Sequence, residues 1–246
     1  MHNTKCTVNR SLGCLRHKNQ NFKRSFEIAI LQRPTYNICM QQMEYFKDPQ
    51  IIKIGPPEMP NGDLCLIREF FDLSQSDDFF QTLLALDQWR QDAIKRGREE
   101  MQLPRLTLWY GNSGKNYSYS GVRMKPLPWN APLLTIKQGV EAEAGVKFNR
   151  VLWNLYRNER DSVAWHSDDE PELGKNPIIA SVSLGATRRF VLKHKSEKRL
   201  PKIELELSHG SLLLMRGPTQ HHWVHAIPKS QIPVGPRLNL TFRIIH

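Results

Sequence analysis

VLWNLY (151–156), IIASVSL (178–184), RRFVLKH (188–194), IELELS (203–208), SLLLM (211–215), HWVHAI (222–227) and LNLTFRII (238–245) are short runs rich in β-formers, separated by turns. Little helix potential lies among them. Seven such runs within one stretch of chain predict an all-β sandwich or barrel, here a double-stranded β-helix or jelly roll with its core at about 147–246.

Outward from this block, helical spacing appears twice. Ser76 is placed to cap a helix carrying Phe79, Phe80, Leu83, Leu84 and Leu86 on one side and running towards Gly97. A second amphipathic stretch, Pro132–Ala144, turns Leu133, Leu134, Ile136 and Val140 inward. Between them, Leu106–Tyr110 and Tyr117–Gly121 read as a hairpin joined by GNSGKN, and Asp63–Phe70 reads as a strand. The turn formers from Gly55 to Gly62 mark the entrance to the folded part. The fold class expected is therefore α+β, mainly β: a jelly roll with two supporting helices at 55–246, preceded by a basic, poorly ordered extension at 1–54 with a short helix near Arg24–Leu31.

A chain of 246 residues can bury a core without disulfide staples. Its cysteines, Cys6, Cys14, Cys39 and Cys65, form no CxxC and no zinc-type spacing, which fits free thiols in a reducing compartment. No apolar run is long enough for a membrane span, and the N-terminus has no signal-peptide hydrophobic region. The chain is expected in the cytoplasm, with the nucleus or an organelle open for a eukaryotic source, and as a monomer with no membrane partner. The net charge is +11, and more than half of it comes from seven Lys/Arg against Glu27 alone in residues 1–33. That balance suggests a polyanion partner, because lysine and arginine contacts with phosphates release counterions. Charge alone is weak support, since many basic proteins bind no nucleic acid.

Three strand segments carry polar residues where a purely structural sheet has little use for them. Side chains alternate faces along a strand, so Asn154 and Tyr156 share one face, and His166 and Asp168 share another. In the last strand Leu238, Leu240 and Phe242 oppose Arg237, Asn239, Thr241 and Arg243. One polar face is usually just solvated. Three in one domain, one bearing His-x-Asp, point to a shared interior where charges need partners. A metal would satisfy His166 and Asp168, which supply two-thirds of a 2-His-1-carboxylate triad for Fe(II). The remaining histidine must come from the run at 221–225. Strand alternation sets His221 and His225 apart from His222 and does not choose between them.

The same residues resemble the AlkB family of Fe(II)/2-oxoglutarate-dependent nucleic-acid dealkylases. HSDDE (166–170), WNLYRN (153–158), SVSLGATRRF (181–190), HGSLLLM (209–215), PRLNLTFR (236–243) and the earlier YSYSG (117–121) carry the resemblance, which covers about 63–246. It implies that 55–246 is an AlkB-like dioxygenase domain with a nucleotide lid at about 104–125. It selects His225 as the third iron ligand and catalytic residue beside His166 and Asp168. It assigns 2-oxoglutarate to Arg237 and Arg243, supported by Asn154, Tyr156 and Asn239. Arg237 is favoured for the distal carboxylate and Arg243 for the end that chelates iron. Substrate contacts are expected from Tyr110, Tyr117, Ser118, Tyr119 and Asp169, with Glu170 adding to the field of Asp169 or lying on the surface; the bland alternative for the tyrosines is hairpin core.

The implied activity uses O2 and 2-oxoglutarate to hydroxylate N-methyl carbons of bases such as N1-methyladenine and N3-methylcytosine. Formaldehyde, succinate and CO2 are released, and the alkylated base is repaired in DNA or, as the second candidate, RNA. Phosphates would meet Lys115, Arg188, Arg189, Lys193 and Lys195, although each alone is more readily a solvated surface charge. Two other functions fit the residues less well: a 2-oxoglutarate oxygenase hydroxylating a protein side chain or small molecule, and a non-catalytic nucleic-acid-binding jelly roll.

Overall fold

Alternation along the strands sorts their side chains into two layers, and the architecture follows from burying both. The structure, a computed structural model, describes residues 50–96, 99–112, 117–119, 122–124 and 126–246. In chain order the elements are β1 (Ile51–Ile54), β2 (Asp63–Ile67), α1 (Leu73–Leu84), β3 (Ala93–Arg96), β4 (Glu99–Gln102), β5 (Leu106–Gly111), β6 (Tyr117–Tyr119) and β7 (Val122–Met124). There follow α2 (Ala131–Ala144), β8 (Arg150–Tyr156), β9 (Val163–His166), β10 (Ile179–Gly185), β11 (Arg188–His194), β12 (Ile203–Leu207) and β13 (Ser211–Arg216). The chain ends with a single turn, α3 (Thr219–His222), then β14 (Trp223–Ile227) and β15 (Arg237–Arg243).

A seven-stranded sheet runs β1-β2-β13-β10-β15-β8-β5, and a four-stranded sheet runs β12-β11-β14-β9. The strand pairings within these two sheets are antiparallel. This is the jelly roll expected from the strand spacing. Each of the seven quoted runs forms a strand. On one face of the large sheet, Val151, Trp153, Val182, Leu240 and Phe242 pack with Leu83 of α1 and Leu133, Ile136 and Val140 of α2. On the other face Leu213 and Met215 meet Phe190, Leu192, Leu205, Leu207 and Trp223 of the small sheet. Each fully buried side chain of this kind is worth roughly 1.5–3 kcal/mol relative to exposure.

The elements before residue 150 differ from expectation in several ways. Helix α1 is capped by Asp72, whose side chain accepts from Gln75 N while Gln75 reaches back to the Asp72 backbone. Ser76 is instead buried, donating to Phe71 O under the turn at Gly210. There φ is +73° and a Cβ would lie 2.5 Å from Ser76 Oγ, so only glycine fits. The helix stops at Leu84, because Trp89 packs 6.1 Å from the Trp153 ring and Arg90 bridges the Thr107 backbone, committing the chain to the sheet. The residues towards Gly97 form β3, paired with β4. Leu134 is 41% exposed rather than inward.

The expected hairpin between 106–110 and 117–121 does not form either. Strand β5 pairs with β8, so that Leu108 and Tyr110 can pack against Trp153 and Val151, while β6 pairs with β7. Ile51–Ile54, assigned above to the extension, pairs with β2 as the edge of the large sheet. The helix expected near Arg24–Leu31 lies outside the described residues, as do Cys6, Cys14 and Cys39; Cys65 is free and buried. Among the described residues no helix is long and apolar enough to cross a membrane.

Helix α2 is tied to the segment leading into β8 by one buried carboxylate. Its ends are set by Asn130, whose side chain accepts from Leu133 N, and by Gly145 at φ +71°. Glu141 accepts from Lys137, from Lys147 (2.9 Å) and from Phe148 N (2.9 Å). Burial pushes this carboxyl up, but the two ammonium groups and the N–H outweigh it and hold it below the usual range. Glu141→Gln is expected to cost about 2 kcal/mol at pH 7. Because the folded-state value is depressed, this contribution is complete above the unfolded value of about 4.3 and is lost as pH falls through the folded one. Urea unfolding at neutral and acidic pH checks this, and a gap between wild type and variant that ignores pH would refute it.

Candidate active site

The polar faces singled out in the sequence meet in the space between the two sheets. From β8 come Asn154 and Tyr156, and from β15 come Arg237, Asn239, Thr241 and Arg243; Ser181 of β10 and Arg105 join them in lining one pocket. The small sheet closes it with His166 at the end of β9, Asp168 just beyond, and His225 on β14 directly opposite His166 in the register.

Donor atoms of His166, Asp168 and His225 all lie within 4.8 Å of one another, and the two imidazole rings stand 4.3 Å apart. Their protonation suits a cation. Burial, with the neighbouring His166, pushes His225 down to about 3, and burial also lowers His166, so both rings are neutral near pH 7. His166 Nδ1 lies 2.9 Å from Ala164 O, a pure acceptor, so that nitrogen carries the proton and Nε2 keeps its lone pair. Burial works to raise Asp168, but Arg243, then His225 and His166, overcome it and hold the carboxyl at about 2. Asp168 Oδ1 accepts from Arg243 Nη2 at 2.8 Å and its backbone N–H donates to Gln220 Oε1 at 2.9 Å. Its Oδ2 is buried and has no partner among the described residues. An orphaned carboxylate oxygen beside two imidazole lone pairs fits a divalent metal, and this N,N,O set with room on one side is the kind that holds non-haem Fe(II).

Arg237 is 1% exposed. Its Nη2 donates to Ser183 Oγ at 2.9 Å and its guanidinium sits 5.0 Å from the Tyr156 ring centroid. Nε and Nη1 are buried without partners among the described residues. Burial lowers its pKa to about 10, so it stays cationic. An unsatisfied, desolvated guanidinium edge calls for an anion with a planar pair of oxygens, which a carboxylate end of 2-oxoglutarate supplies. Asn239 is held by Ser181 and the Val182 carbonyl. Asn154 Oδ1 accepts from Arg105 Nε at 2.7 Å.

Several expected residues sit elsewhere. Tyr110 is buried on the helix side of the large sheet, stacked on Trp153 at 4.6 Å, so it is core and not a substrate contact; Leu108 and Tyr110 share the face opposite Thr107. His221 lies on the short α3 turn, where its Nε2 accepts from Asn176 N, and His222 faces His194. The alternation that tied His221 to His225 does not apply, because the strand begins only at Trp223. Tyr117, Ser118 and Tyr119 form β6, and their side chains lie outside the described residues. Asp169 is partly exposed and paired with Lys195 at 2.7 Å. Glu170 is half-buried, and burial, then the charge of Asp168, raises its carboxyl.

Four further residues belong to the site. Ser181 and Ser183 were detectable, since they alternate with Ala180, Val182 and Leu184. Arg105 and Gln220 carry no such mark, because each stands outside a strand.

Residues 63–243 match the 2OG-Fe(II) oxygenase superfamily. The Bos taurus alpha-ketoglutarate-dependent dioxygenase alkB homolog 3 is 44% identical over 191 residues, covering 74% of this chain and 66% of that one. The Homo sapiens protein of the same name is 40% identical over 225 residues, covering 82% and 78%. The Homo sapiens DNA oxidative demethylase ALKBH2 is 37% identical over 190 residues, covering 74% and 73%. The solved structure of OsALKBH1 superposes with a TM-score of 0.53 at 17% identity, covering 79% of this chain and 99% of that one, a likeness of fold. The chain belongs to the 2OG-Fe(II) oxygenase superfamily and, within it, to the AlkB family. It is a dioxygenase that works with Fe(II), 2-oxoglutarate and O2.

His225→Ala is expected to abolish Co(II) binding, followed by the cobalt absorption bands. His222→Ala should bind within about twofold of wild type, since its ring points to His194. The reverse pattern would refute the ligand set.

Proposed function

We propose that this dioxygenase removes alkyl groups from nucleic-acid bases, acting on N-methyl groups of the N1-methyladenine and N3-methylcytosine kind, in DNA first and RNA second. The carrying observation is the His166–Asp168–His225 set, its last two members buried, sharing one pocket with the partnerless edge of Arg237, in a chain similar to proteins named as alkB homologs and DNA oxidative demethylases. Bound Fe(II) and 2-oxoglutarate supply the oxidising equivalent from O2, with succinate and CO2 as products.

The chain's own residues hold the parts in place. Arg243 keeps Asp168 ionised and aimed, Gln220 fixes the Asp168 backbone, and the Ala164 carbonyl sets the His166 tautomer. Arg237 takes a carboxylate of the co-substrate, while Arg243, beside Asp168, lies nearer the metal end. Hydroxylation of an N-methyl carbon leaves an unstable adduct that breaks down to formaldehyde and the restored base. The lesions named are cationic, which suits a site edged by Asp169 and Glu170, although Lys195 already offsets the charge of Asp169. Reaching a paired base requires flipping it out, and a lesion that weakens pairing lowers that cost.

Purified protein with iron, ascorbate and 2-oxoglutarate should release formaldehyde from methylated oligonucleotides, and Asp168→Ala should not. Conversion of 2-oxoglutarate to succinate with no formaldehyde from any methylated oligonucleotide, single- or double-stranded, would sink the proposal. Arg237→Leu is expected to raise the 2-oxoglutarate KM on the order of 10²-fold, since it removes a desolvated charge pair. A KM within threefold of wild type would remove Arg237 from the co-substrate site.

A further inference from the structure

Asn154 and Asn239 stand directly opposite each other on β8 and β15, and both line the reactive pocket. By strand alternation they are equals, since each belongs to the polar face. Their hydrogen bonds separate them. An amide side chain has an acceptor oxygen and two N–H donors, and only the donors can hold an anion such as 2-oxoglutarate. Asn154 Oδ1 accepts from Arg105 Nε at 2.7 Å, and its Nδ2 hydrogens have no acceptor among the described residues. Asn239 is engaged at every donor. Its Nδ2 gives one hydrogen to Ser181 Oγ at 2.7 Å and the other to the Val182 carbonyl at 3.0 Å, while Oδ1 accepts from the Thr241 hydroxyl at 3.1 Å. The Val182 carbonyl fixes this orientation, because it only accepts and a flipped amide would set oxygen against oxygen. Asn239 therefore presents no N–H to an anion in the pocket.

Ser181 does. Its Oγ accepts from Asn239, so its own hydrogen points elsewhere, and that hydrogen meets no acceptor among the described residues. The side chain is buried and lines the pocket at the level of Thr241, its partner in the register. Along β15 this level lies between Arg237 and Arg243, the two arginines assigned to the co-substrate. A buried hydroxyl hydrogen without an acceptor is costly to hold, and a hydroxyl that already accepts from an N–H is polarised into a stronger donor. A carboxylate is the acceptor that gains most from it. We propose that the Ser181 hydroxyl donates a hydrogen bond to an oxygen of bound 2-oxoglutarate, and that Asn239 is a positioning residue acting through Ser181. The assignment holds whichever substrate is oxidised, and it rests on the placement of the co-substrate against Arg237.

The test titrates 2-oxoglutarate into Co(II)-loaded protein and reads its Kd from the change in the cobalt bands, without turnover. Ser181→Ala should bind about tenfold more weakly than wild type, the loss expected for one hydrogen bond to a charged group. Ser181→Cys keeps the size of the side chain with a feeble donor and should also lose about tenfold; it carries the comparison if the alanine variant does not load cobalt. Asn239→Ala should weaken binding about threefold by releasing the hydroxyl. The Ser181→Ala/Asn239→Ala pair should stay within about twofold of Ser181→Ala alone, since a residue that acts through another adds nothing once that other is gone. Circular dichroism, and Co(II) affinity without 2-oxoglutarate, establish that each variant is folded with its metal site intact.

An unchanged Kd in the Ser181 variants overturns the contact. Wild-type affinity in Ser181→Cys beside a loss in Ser181→Ala overturns it too, since that marks packing and not donation. Losses that multiply in the pair overturn the positioning role, because Asn239 would then meet the ligand itself. Arg237→Leu in the same titration tests the placement separately. Undiminished affinity there removes the co-substrate from this pocket and the Ser181 assignment with it, whereas a loss there with unaltered Ser181 variants defeats the Ser181 assignment alone.

Discussion

The ion pair between Asp168 and Arg243 ties the segment just beyond β9 to the last strand of the large sheet. Its atoms are 2.8 Å apart and its side chains only 1% and 3% exposed. Burying two charges costs several kcal/mol per ion before their attraction is counted, so such a pair is a poor device for stability. It makes sense as a way to keep a carboxylate ionised inside a protein. With Oδ1 on the guanidinium and the backbone N–H on Gln220, the second oxygen is left aimed at two neutral imidazoles. Removing Arg243 would leave a buried carboxylate with every incentive to protonate, and a protonated carboxyl is a poor metal ligand.

The same economy runs through the interior. Arg237 is buried with part of its guanidinium unsatisfied, and the Tyr156 ring lies within about 5.5 Å of both it and Arg188, whose own donors are spent on the carbonyls of Asn158, Asp161 and Pro228. Arg188 is thus satisfied by backbone carbonyls, while the unsatisfied edge of Arg237 is held in reserve. The protein tolerates that reserve because helices α1 and α2 and the large sheet bury a separate apolar layer behind it.

How much of this was legible before folding depended on periodicity. The last strand alternates cleanly, so the opposition of Leu238, Leu240 and Phe242 to Arg237, Asn239, Thr241 and Arg243 was readable, and it reappears as the two faces of β15. Ser181 and Ser183 obeyed the same rule. The rule misled where the chain was not extended: His221 lies on a helical turn, so its strand parity with His225 had no meaning. Tyr110 was misread for a different reason. Its strand pairs with β8 and not with the neighbouring segment, and that choice turns the ring onto Trp153.

From residue 150 onward, local patterns therefore determined which strands exist, which of their side chains share a face, and that the residues of one such face are too polar for a core. They were sufficient because alternation and turn chemistry act over a few residues. Partner choice between strands, the end of α1, and the company kept by Asp168, Gln220 and Arg105 involve residues far apart in the chain. Those were decided only by packing: a strand pairs where its apolar face is best covered, and a buried polar atom takes whichever partner that packing brings within reach.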